Sequence, residues 1–328
     1  MENYKKNTMK NGYVWISDED NRIYLMHSVR QRSTLKHEGY LIVRIKDRAF
    51  KLAEVLSQGI GLVFYDRDQN CVHVETNSEE LADKIREDGL EWANLPCFLS
   101  RAEELKRYIQ GLDLDQARKL WQCNEKIALL NYGRFKEMDL ERRLTPALLS
   151  YEGIQYQYMA PGVFEQGQWD YVQEHLRILS GFYGILKPLD GIVPYRLEMQ
   201  AKVELPSGIK SLYDYWGSSI CRELAADETL IVNLASKEYS RAVEPYLEAH
   251  IDYVTCVFGT LAEDGTGGLK VKVKATEAKM ARGEMVRFMA ERGVRDAEGL
   301  KGFDRLGYRY CQEKSGDKEY VFIKIREQ

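Results

Sequence analysis

Two kinds of hydrophobic pattern divide this chain. Before about residue 90, apolar and polar residues alternate in short runs such as "YLIVRI" and "CVHVE", a spacing of two that predicts β-strands. The polar residues "DRDQN" lie between "LVFYD" and "CVHVE" and predict a hairpin turn. Two runs with helical spacing, "RAFKLAEVLSQG" and "SEELADKIRED", are interleaved with these strands. We therefore predict a small α+β module over residues 1–92, for which a ferredoxin-like order of elements is one arrangement.

The pattern becomes mainly helical beyond residues 88–95, and all seven prolines lie at or after Pro96. The run "SRAEELKRYIQGL" predicts a helix that starts with a capping box of Ser100 and Glu103. Further along, strand-like runs ("LIVNLAS", "YVTCVFG", "LKVKVKA" and "YVFIKIR") alternate with helical ones. The fold class is therefore mixed α/β, with a second domain over residues 93–328 that contains a central sheet.

The segment "LSGFYGIL" at residues 179–186 is the first candidate for function. Gly181 and Gly184 lie three positions apart between apolar residues, a pattern typical of helix-hairpin-helix turns. Glycines let a backbone come close to phosphate groups, and amides at the start of a helix bind anions. Lys187 follows the turn, Arg177 precedes it and Arg196 lies downstream, so we predict contacts to phosphates at these five residues.

A purely structural interpretation of the same glycines stays open. Gly181 would then end a helix as its C-cap, and the neighbouring Phe182, Tyr183 and Ile185 would be buried.

Two more cations, Lys279 and Arg282, lie on a predicted amphipathic helix, "KATEAKMARGEMVRFMAERG". They form either an ordinary solvated face or an extension of the phosphate-binding surface. The partner expected for such a surface is DNA, contacted through its backbone and without sequence specificity.

A polar loop follows the strand-like run "LIVNLAS" and supplies a second candidate site. Asn233, Ser236 and Lys237 are its predicted ligand-binding residues, because ligands bind at the carboxyl ends of strands in open α/β sheets. Ser236, Tyr239 and the more distant Glu198 are the candidates for catalysis. As structural alternatives, Ser236 caps a helix that starts at Lys237, and Glu198 forms an ion pair with Arg196.

Composition and charge narrow the choice further. The net charge is −4, so nucleic-acid binding requires a local basic surface. The six cysteines are scattered without a Cys-x-x-Cys pair, which favours reduced thiols and predicts no metal site and no cofactor. The chain contains no apolar run long enough for a membrane span and no signal peptide, so we expect a cytoplasmic protein without membrane contact. Nucleophile elbows, Walker loops and Rossmann fingerprints are absent from the sequence, so an enzyme is the less favoured class.

Several segments resemble the YaaA family in their order along the chain, from about residue 95 to the end. They are "LTPALLSYEGIQYQYMAPG", "QEHLRILSGFYGILKPLDGIVPYRLEM", "SLYDYWG", "IVNLASKEYSRAV", "VFG", "AKMARGEMVRFM", "FDRLGYRY" and "YVFIKI". The resemblance implies a role in bacterial resistance to peroxide stress, linked to limiting damage from free intracellular iron. It also implies DNA binding through a helix-hairpin-helix and a basic cleft, within an unusual α/β fold. The hairpin corresponds to residues 179–186 here, and Lys279 and Arg282 fall in another of the matching segments.

The start of the chain departs from this family. The family typically opens with a short buried strand that leads into Ser-Pro-Ala-Lys-Lys, and this signature is missing here. Residues 1–92 stand in its place and resemble no known family. Three hypotheses follow: a DNA-binding stress protein, an enzyme for a small nucleotide-like or phosphorylated ligand, and a protein-interaction role for residues 1–92.

Overall fold

The structure is a computed structural model of the whole chain. It describes residues 92–142 and 144–325 and, before them, the backbone of six strands between Tyr13 and Thr76. Two compact units make up the chain. One comprises residues 1–91 with residues 162–164, and the other comprises residues 92–161 and 165–328.

The first unit contains an antiparallel sheet with strand order β2-β1-β5-β6 and a separate β3-β4 hairpin. The strands are β1 (Tyr13–Ile16), β2 (Ile23–Leu25), β3 (Val43–Ile45), β4 (Arg48–Phe50), β5 (Gly61–Asp66) and β6 (Cys71–Thr76). The predicted turn at "DRDQN" is confirmed, because Asp66 pairs with Cys71 across it. The helix predicted from Arg48 is wrong at its start, since Arg48–Phe50 pairs with β3 as a strand. The rest of that helix and the run "SEELADKIRED" lie outside the described residues.

In the second unit, helices fill most of the first half. In the described part of the chain the α-helices are α1 (Leu99–Gln110), α2 (Leu114–Trp121), α3 (Glu125–Lys136), α4 (Ala147–Ser150), α5 (Ile154–Met159), α6 (Gln166–His175), α7 (Leu212–Trp216), α8 (Ser219–Ala225), α9 (Lys237–Ser240), α10 (Ala275–Arg292) and α11 (Ala297–Leu300). Short 3-10 turns cover Pro161–Val163, Glu244–Tyr246, Arg305–Gly307 and Gln312–Lys314.

Local capping decides where these helices begin. Asp113 caps α2 through a reciprocal capping box with Gln116. The capping box predicted at Ser100 is wrong, because the first turn of the helix forms two residues earlier, where the amide of Leu99 donates to the carbonyl of Pro96. Ser100 therefore lies inside α1.

Mixed β-structure makes the core of the second half. Its strands are β7 (Thr145–Pro146), β8 (Ile178–Ser180), β9 (Gly184–Leu186), β10 (Gly191–Ile192), β11 (Leu230–Asn233), β12 (Asp252–Glu263), β13 (Leu269–Lys272), β14 (Tyr308–Tyr310) and β15 (Glu319–Lys324). The main sheet has the order β11-β12-β15-β14, parallel except for β14, and β13 pairs with the far end of β12. Helix α10 packs on this sheet around Phe258, Met285 and Phe322. The predicted mixed α/β class is confirmed.

The contact between α10 and α5 is unusually close. A Cβ atom at Gly283 of α10 would lie 2.8 Å from the backbone nitrogen of Met159 and closer still to the carbonyl oxygen of Gln155. Glycine is therefore required at this crossing, and it fixes the position of α5 and of Tyr156, which α5 carries. Among the described residues, none of the helices combines the length and apolar character needed to cross a bilayer.

Candidate functional site in a tyrosine cluster

The predicted helix-hairpin-helix is not present at residues 179–186. Ser180 and Gly184 close a β-hairpin, in which β8 and β9 pair antiparallel. Tertiary contacts explain the difference. The indole nitrogen of Trp216 donates to the carbonyl of Gly181 at 3.0 Å, and a Cβ atom at Gly181 would collide with the backbone of Leu197 and Glu198.

The amides of this turn are already occupied. The backbone amides of Phe182 and Tyr183 donate to the Ser180 hydroxyl at 3.1 and 2.9 Å. Residues 181–186 are all buried, as the structural interpretation predicted, but its helix C-cap at Gly181 is wrong, because Gly181 follows strand β8. A phosphate group therefore has no access to Gly181 or Gly184.

The predicted phosphate-binding cations differ in their surroundings, although Arg177 and Lys187 both act electrostatically on Asp190. Arg177 donates to the carbonyls of Glu174 and Leu176 at 2.9 Å and so caps the end of α6. Lys187 and Lys279 are exposed on the surface. Arg196 and Arg282 are half-buried.

In the predicted ligand loop, the side chains of Asn233 and Lys237 are engaged by the protein itself. The side-chain nitrogen of Asn233 donates to the Thr255 hydroxyl at 3.2 Å, and its side-chain oxygen accepts a hydrogen bond from the backbone amide of Ala235 at 2.9 Å. Ser236 occupies the N-cap position of α9, as the structural alternative predicted, but its side chain makes no capping hydrogen bond there. The Lys237 ammonium forms an ion pair with Glu244 at 2.8 Å.

A cluster of hydroxyl groups lies next to the glycine hairpin. The Tyr195 hydroxyl contacts the Ser180 hydroxyl on one side and the Tyr151 hydroxyl on the other, each at 2.5 Å. The Tyr151 ring stacks on the Tyr156 ring, with centroids 5.3 Å apart. Tyr239 of α9 interacts electrostatically with Tyr151, Tyr156 and Tyr195, and so belongs to the same cluster.

The cluster is joined to an ion pair. Arg196 Nη2 lies 2.5 Å from Glu198 Oε1, as the alternative for these two residues predicted. Burial, then Glu238 and Glu198, raise the pKa of Tyr239, so the Glu198 carboxylate lies within electrostatic reach of the cluster. The Arg196 Nε atom is buried without a hydrogen-bond partner among the described residues. We call Tyr151, Ser180, Tyr195, Arg196, Glu198 and Tyr239 together the tyrosine site.

All the phenols of this site are neutral at physiological pH. Burial is the main cause that raises the pKa of Tyr151, Tyr195 and Tyr239 well above the ordinary value. The three side chains therefore act as hydrogen-bond donors and acceptors rather than as anions. Glu198 is the carboxylate that can accept a proton in the site.

Arg282 lies on α10 immediately before the glycine that contacts α5. Burial lowers the pKa of its guanidinium, and Cys256 of β12 has a smaller effect in the opposite direction. Its Nε atom is also buried without a partner among the described residues.

Tyr151, Ser180 and Tyr195 were missed in the sequence analysis. Tyr151 and Tyr195 are 44 positions apart in the sequence, and Ser180 and Tyr195 are 15 positions apart. No local spacing therefore connects these residues. The available signal was only that all three residues lie in segments that carried the family resemblance.

No group of three or more His, Cys, Asp or Glu side chains with metal-binding geometry occurs in the described residues.

Comparison with known proteins identifies the family. The family model described as peroxide stress protein YaaA matches residues 76–314. A UPF0246 protein of Desulfitobacterium hafniense is 53% identical over 245 residues, which cover 74% of this chain and 95% of that protein. UPF0246 proteins of Lachnoclostridium phytofermentans and Agathobacter rectalis are 50% and 49% identical over 229 and 235 residues, covering 70% and 72% of this chain and 88% and 92% of those proteins. The chain therefore belongs to the family of the peroxide stress protein YaaA, also called UPF0246.

Proposed function

We propose that this member of the YaaA family acts in the peroxide stress response by binding a small phosphorylated, nucleotide-like ligand at the tyrosine site. The observation that carries the proposal is the buried Nε atom of Arg196, which has no partner among the described residues. A buried donor without an acceptor costs about 1–3 kcal/mol, and a ligand oxygen would remove that cost.

The balance of donors and acceptors favours an anion. The site offers hydroxyl groups from three tyrosines and the guanidinium of Arg196, against the carboxylate of Glu198 and, beside Tyr239, that of Glu238. The Glu198 carboxylate is already paired with Arg196. Phosphate oxygens accept hydrogen bonds without donating any, so they complement such a surplus of donors.

The aromatic residues favour a ligand that also carries a ring. Tyr151 and Tyr156 stack with an interplanar angle of 14°, and both remain half-buried rather than fully enclosed. A nucleobase can extend such a stack, and each base stacked on an aromatic side chain contributes about 1–3 kcal/mol. If the ligand is turned over, Glu198 is the proposed base and Tyr239 the proposed acid.

Isothermal titration of the full chain with nucleoside monophosphates and with the matching nucleosides tests this proposal. We expect the monophosphates to bind and Arg196→Gln to weaken that binding by at least about 10-fold. Arg222→Gln, which removes an exposed arginine of α8, is the matched control and should bind as the wild type does. Equal affinity for nucleosides and monophosphates, or an unaffected Arg196→Gln variant, would refute the proposal. Chromatography of the same mixtures after incubation reports turnover.

A second candidate function is sequence-independent contact with DNA, through surface lysines rather than the buried hairpin. Lys270 and Lys272 alternate with apolar residues along β13, so both ammonium groups lie on one exposed face of the β12-β13 ribbon. Lys187 and Lys279 are exposed as well. Such contacts release counterions and weaken steeply as salt rises.

Fluorescence anisotropy of labelled duplex DNA across a salt series tests this candidate. The double variant Lys270→Gln, Lys272→Gln should lower both affinity and the salt slope. The control variant Lys119→Gln, Lys126→Gln removes two exposed lysines of α2 and α3 and should change neither. Protection of a plasmid from nicking by iron(II) and hydrogen peroxide would link this binding to iron-mediated damage. Salt-independent binding would count against the candidate.

A further inference from the structure

A cavity of about 450 Å³ lies between the start of α7 and the residues that follow α9. Its volume is within the range of sites that bind small molecules. Charged and aromatic side chains line it together, and none of them belongs to the tyrosine site. They are Tyr213, Asp214, Arg241, Glu244 and Tyr246.

The guanidinium of Arg241 is held in this cavity without an anionic partner. Its Cζ atom lies 5.1 Å from the centroid of the Tyr213 ring, a cation–π contact that fixes the position of the group. The Tyr213 hydroxyl in turn donates to the carbonyl of Glu238 at 2.8 Å, so the ring is anchored as well. Within residues 92–142 and 144–325, the guanidinium forms no ion pair and no hydrogen bond. Its planar N–H groups are therefore available to the two oxygens of a carboxylate.

One carboxylate of the lining is only half used. The Oδ2 atom of Asp214 accepts the Ser211 hydroxyl at 2.6 Å, and its Oδ1 atom has no partner among the described residues. Glu244, in contrast, is engaged by the Lys237 ammonium at 2.8 Å and by the Ser240 hydroxyl. Asp214 is therefore the negative group that remains for a cation of the ligand.

The two opposite charges line the same cavity but do not neutralise each other, since no ion pair joins Arg241 and Asp214 in the described part of the chain. A ligand with one charge would leave one of these groups unpaired, whereas a ligand with both charges pairs with each. We propose that the cavity binds a free amino acid, with its α-carboxylate on the Arg241 guanidinium and its α-ammonium on Asp214 Oδ1. This second site goes beyond the proposed function.

The rest of the lining selects the side chain of that amino acid. The Tyr246 ring is 42% exposed and, with Ala242 and Pro245, presents apolar surface next to the charged groups. An apolar or aromatic side chain removes such surface from water, and an aromatic one also packs against the Tyr246 ring. Phenylalanine represents this class.

Titration of the full chain with L-phenylalanine, followed by NMR of the ligand, tests the need for both charges. Two analogues serve as matched controls: 2-phenylethylamine lacks the carboxylate, and 3-phenylpropionate lacks the ammonium. We expect each analogue to bind at least about 10-fold more weakly than phenylalanine, the loss of one charged contact. Equal affinity for phenylalanine and either analogue, or no binding of phenylalanine by the wild type, would overturn the inference.

Two substitutions assign each charge to its partner. Arg241→Gln should weaken phenylalanine binding by at least about 10-fold without weakening that of 2-phenylethylamine, which has no carboxylate to lose. Asp214→Asn should likewise weaken phenylalanine but not 3-phenylpropionate. Arg222→Gln, at an exposed arginine of α8, is the control and should bind phenylalanine as the wild type does. Circular dichroism confirms that each variant is folded. Equal loss of all three ligands in Arg241→Gln or Asp214→Asn would indicate a structural role and overturn the assignment.

Discussion

Replacing Gly283 by alanine tests how closely α10 packs on α5, the helix whose Tyr156 stacks on Tyr151 of the tyrosine site. An added Cβ atom would lie 2.8 Å from the Met159 nitrogen and closer to the Gln155 oxygen, both of which are backbone atoms of α5. Backbone atoms cannot rotate away as a side chain can. The two helices must therefore move apart if the variant is to fold.

The size of the effect follows from these contacts. Ordinary contact begins at 3.4 Å, so the Met159 nitrogen alone requires a shift of about 0.6 Å, and the Gln155 oxygen requires more. Overpacking of this kind costs about 1–3 kcal/mol, and rigid backbone on both sides puts Gly283→Ala at the upper end. Alanine favours a helix interior over glycine by about 1 kcal/mol, which offsets only part of that cost.

Gly133 in α3 provides the matched control. It is an exposed helical glycine at which an added Cβ atom meets nothing within 4 Å. Gly133→Ala should therefore raise the free energy of unfolding by about 0.5–1 kcal/mol. Guanidinium unfolding of both variants, followed by circular dichroism, measures the difference. A Gly283→Ala midpoint equal to or above that of Gly133→Ala would refute the close crossing of α5 and α10.

Two further substitutions probe the hairpin segment. Burial raises the pKa of the Asp190 carboxyl to about 6. The hydrogen bond that this carboxyl accepts from the backbone amide of Lys187, at 2.8 Å, opposes the rise only in part. Because the folded state then holds the proton more tightly than the unfolded one, the free energy of unfolding should fall by at most about 3 kcal/mol from pH 4 to pH 6. Asp190→Asn should remove that fall in denaturant titrations, and an unchanged pH profile would exclude Asp190 as its source. Gly181→Ala should cost at least about 2 kcal/mol, since its Cβ atom would lie 2.9 Å from the backbone carbon of Glu198, whereas a surface hairpin would tolerate it.

Periodicity in the sequence was enough to predict the mixed α/β class and several elements of the second unit. The alternating runs became β11, β12, β13 and β15, and the amphipathic run became α10. Both patterns show which side chains of an element face the core, and each can be read from the sequence of that element alone.

The hairpin could not be assigned from such local information. An apolar-glycine-apolar segment fits a helix-hairpin-helix and a buried β-hairpin equally well. The outcome is decided by Trp216, which donates to the Gly181 carbonyl from 35 positions away, and by the backbone of Leu197. Neither contact leaves a signal in the segment itself.

The tyrosine site shows the same limit. Glu198, Arg196 and Tyr239 were candidates on sequence grounds, and the structure brings them together. Tyr151 and Tyr195 were not candidates, because tyrosine is common in cores and its hydroxyl becomes informative only when a partner is known.

A crystal structure of the full chain with adenosine monophosphate bound is the most direct test of the central claim, which is that the tyrosine site holds a phosphorylated ligand. We predict density for the phosphate group within hydrogen-bond distance of the Arg196 guanidinium, with the base next to Tyr156. Density for the nucleotide only along the exposed lysines of β13, with Arg196 uncontacted, would contradict the claim.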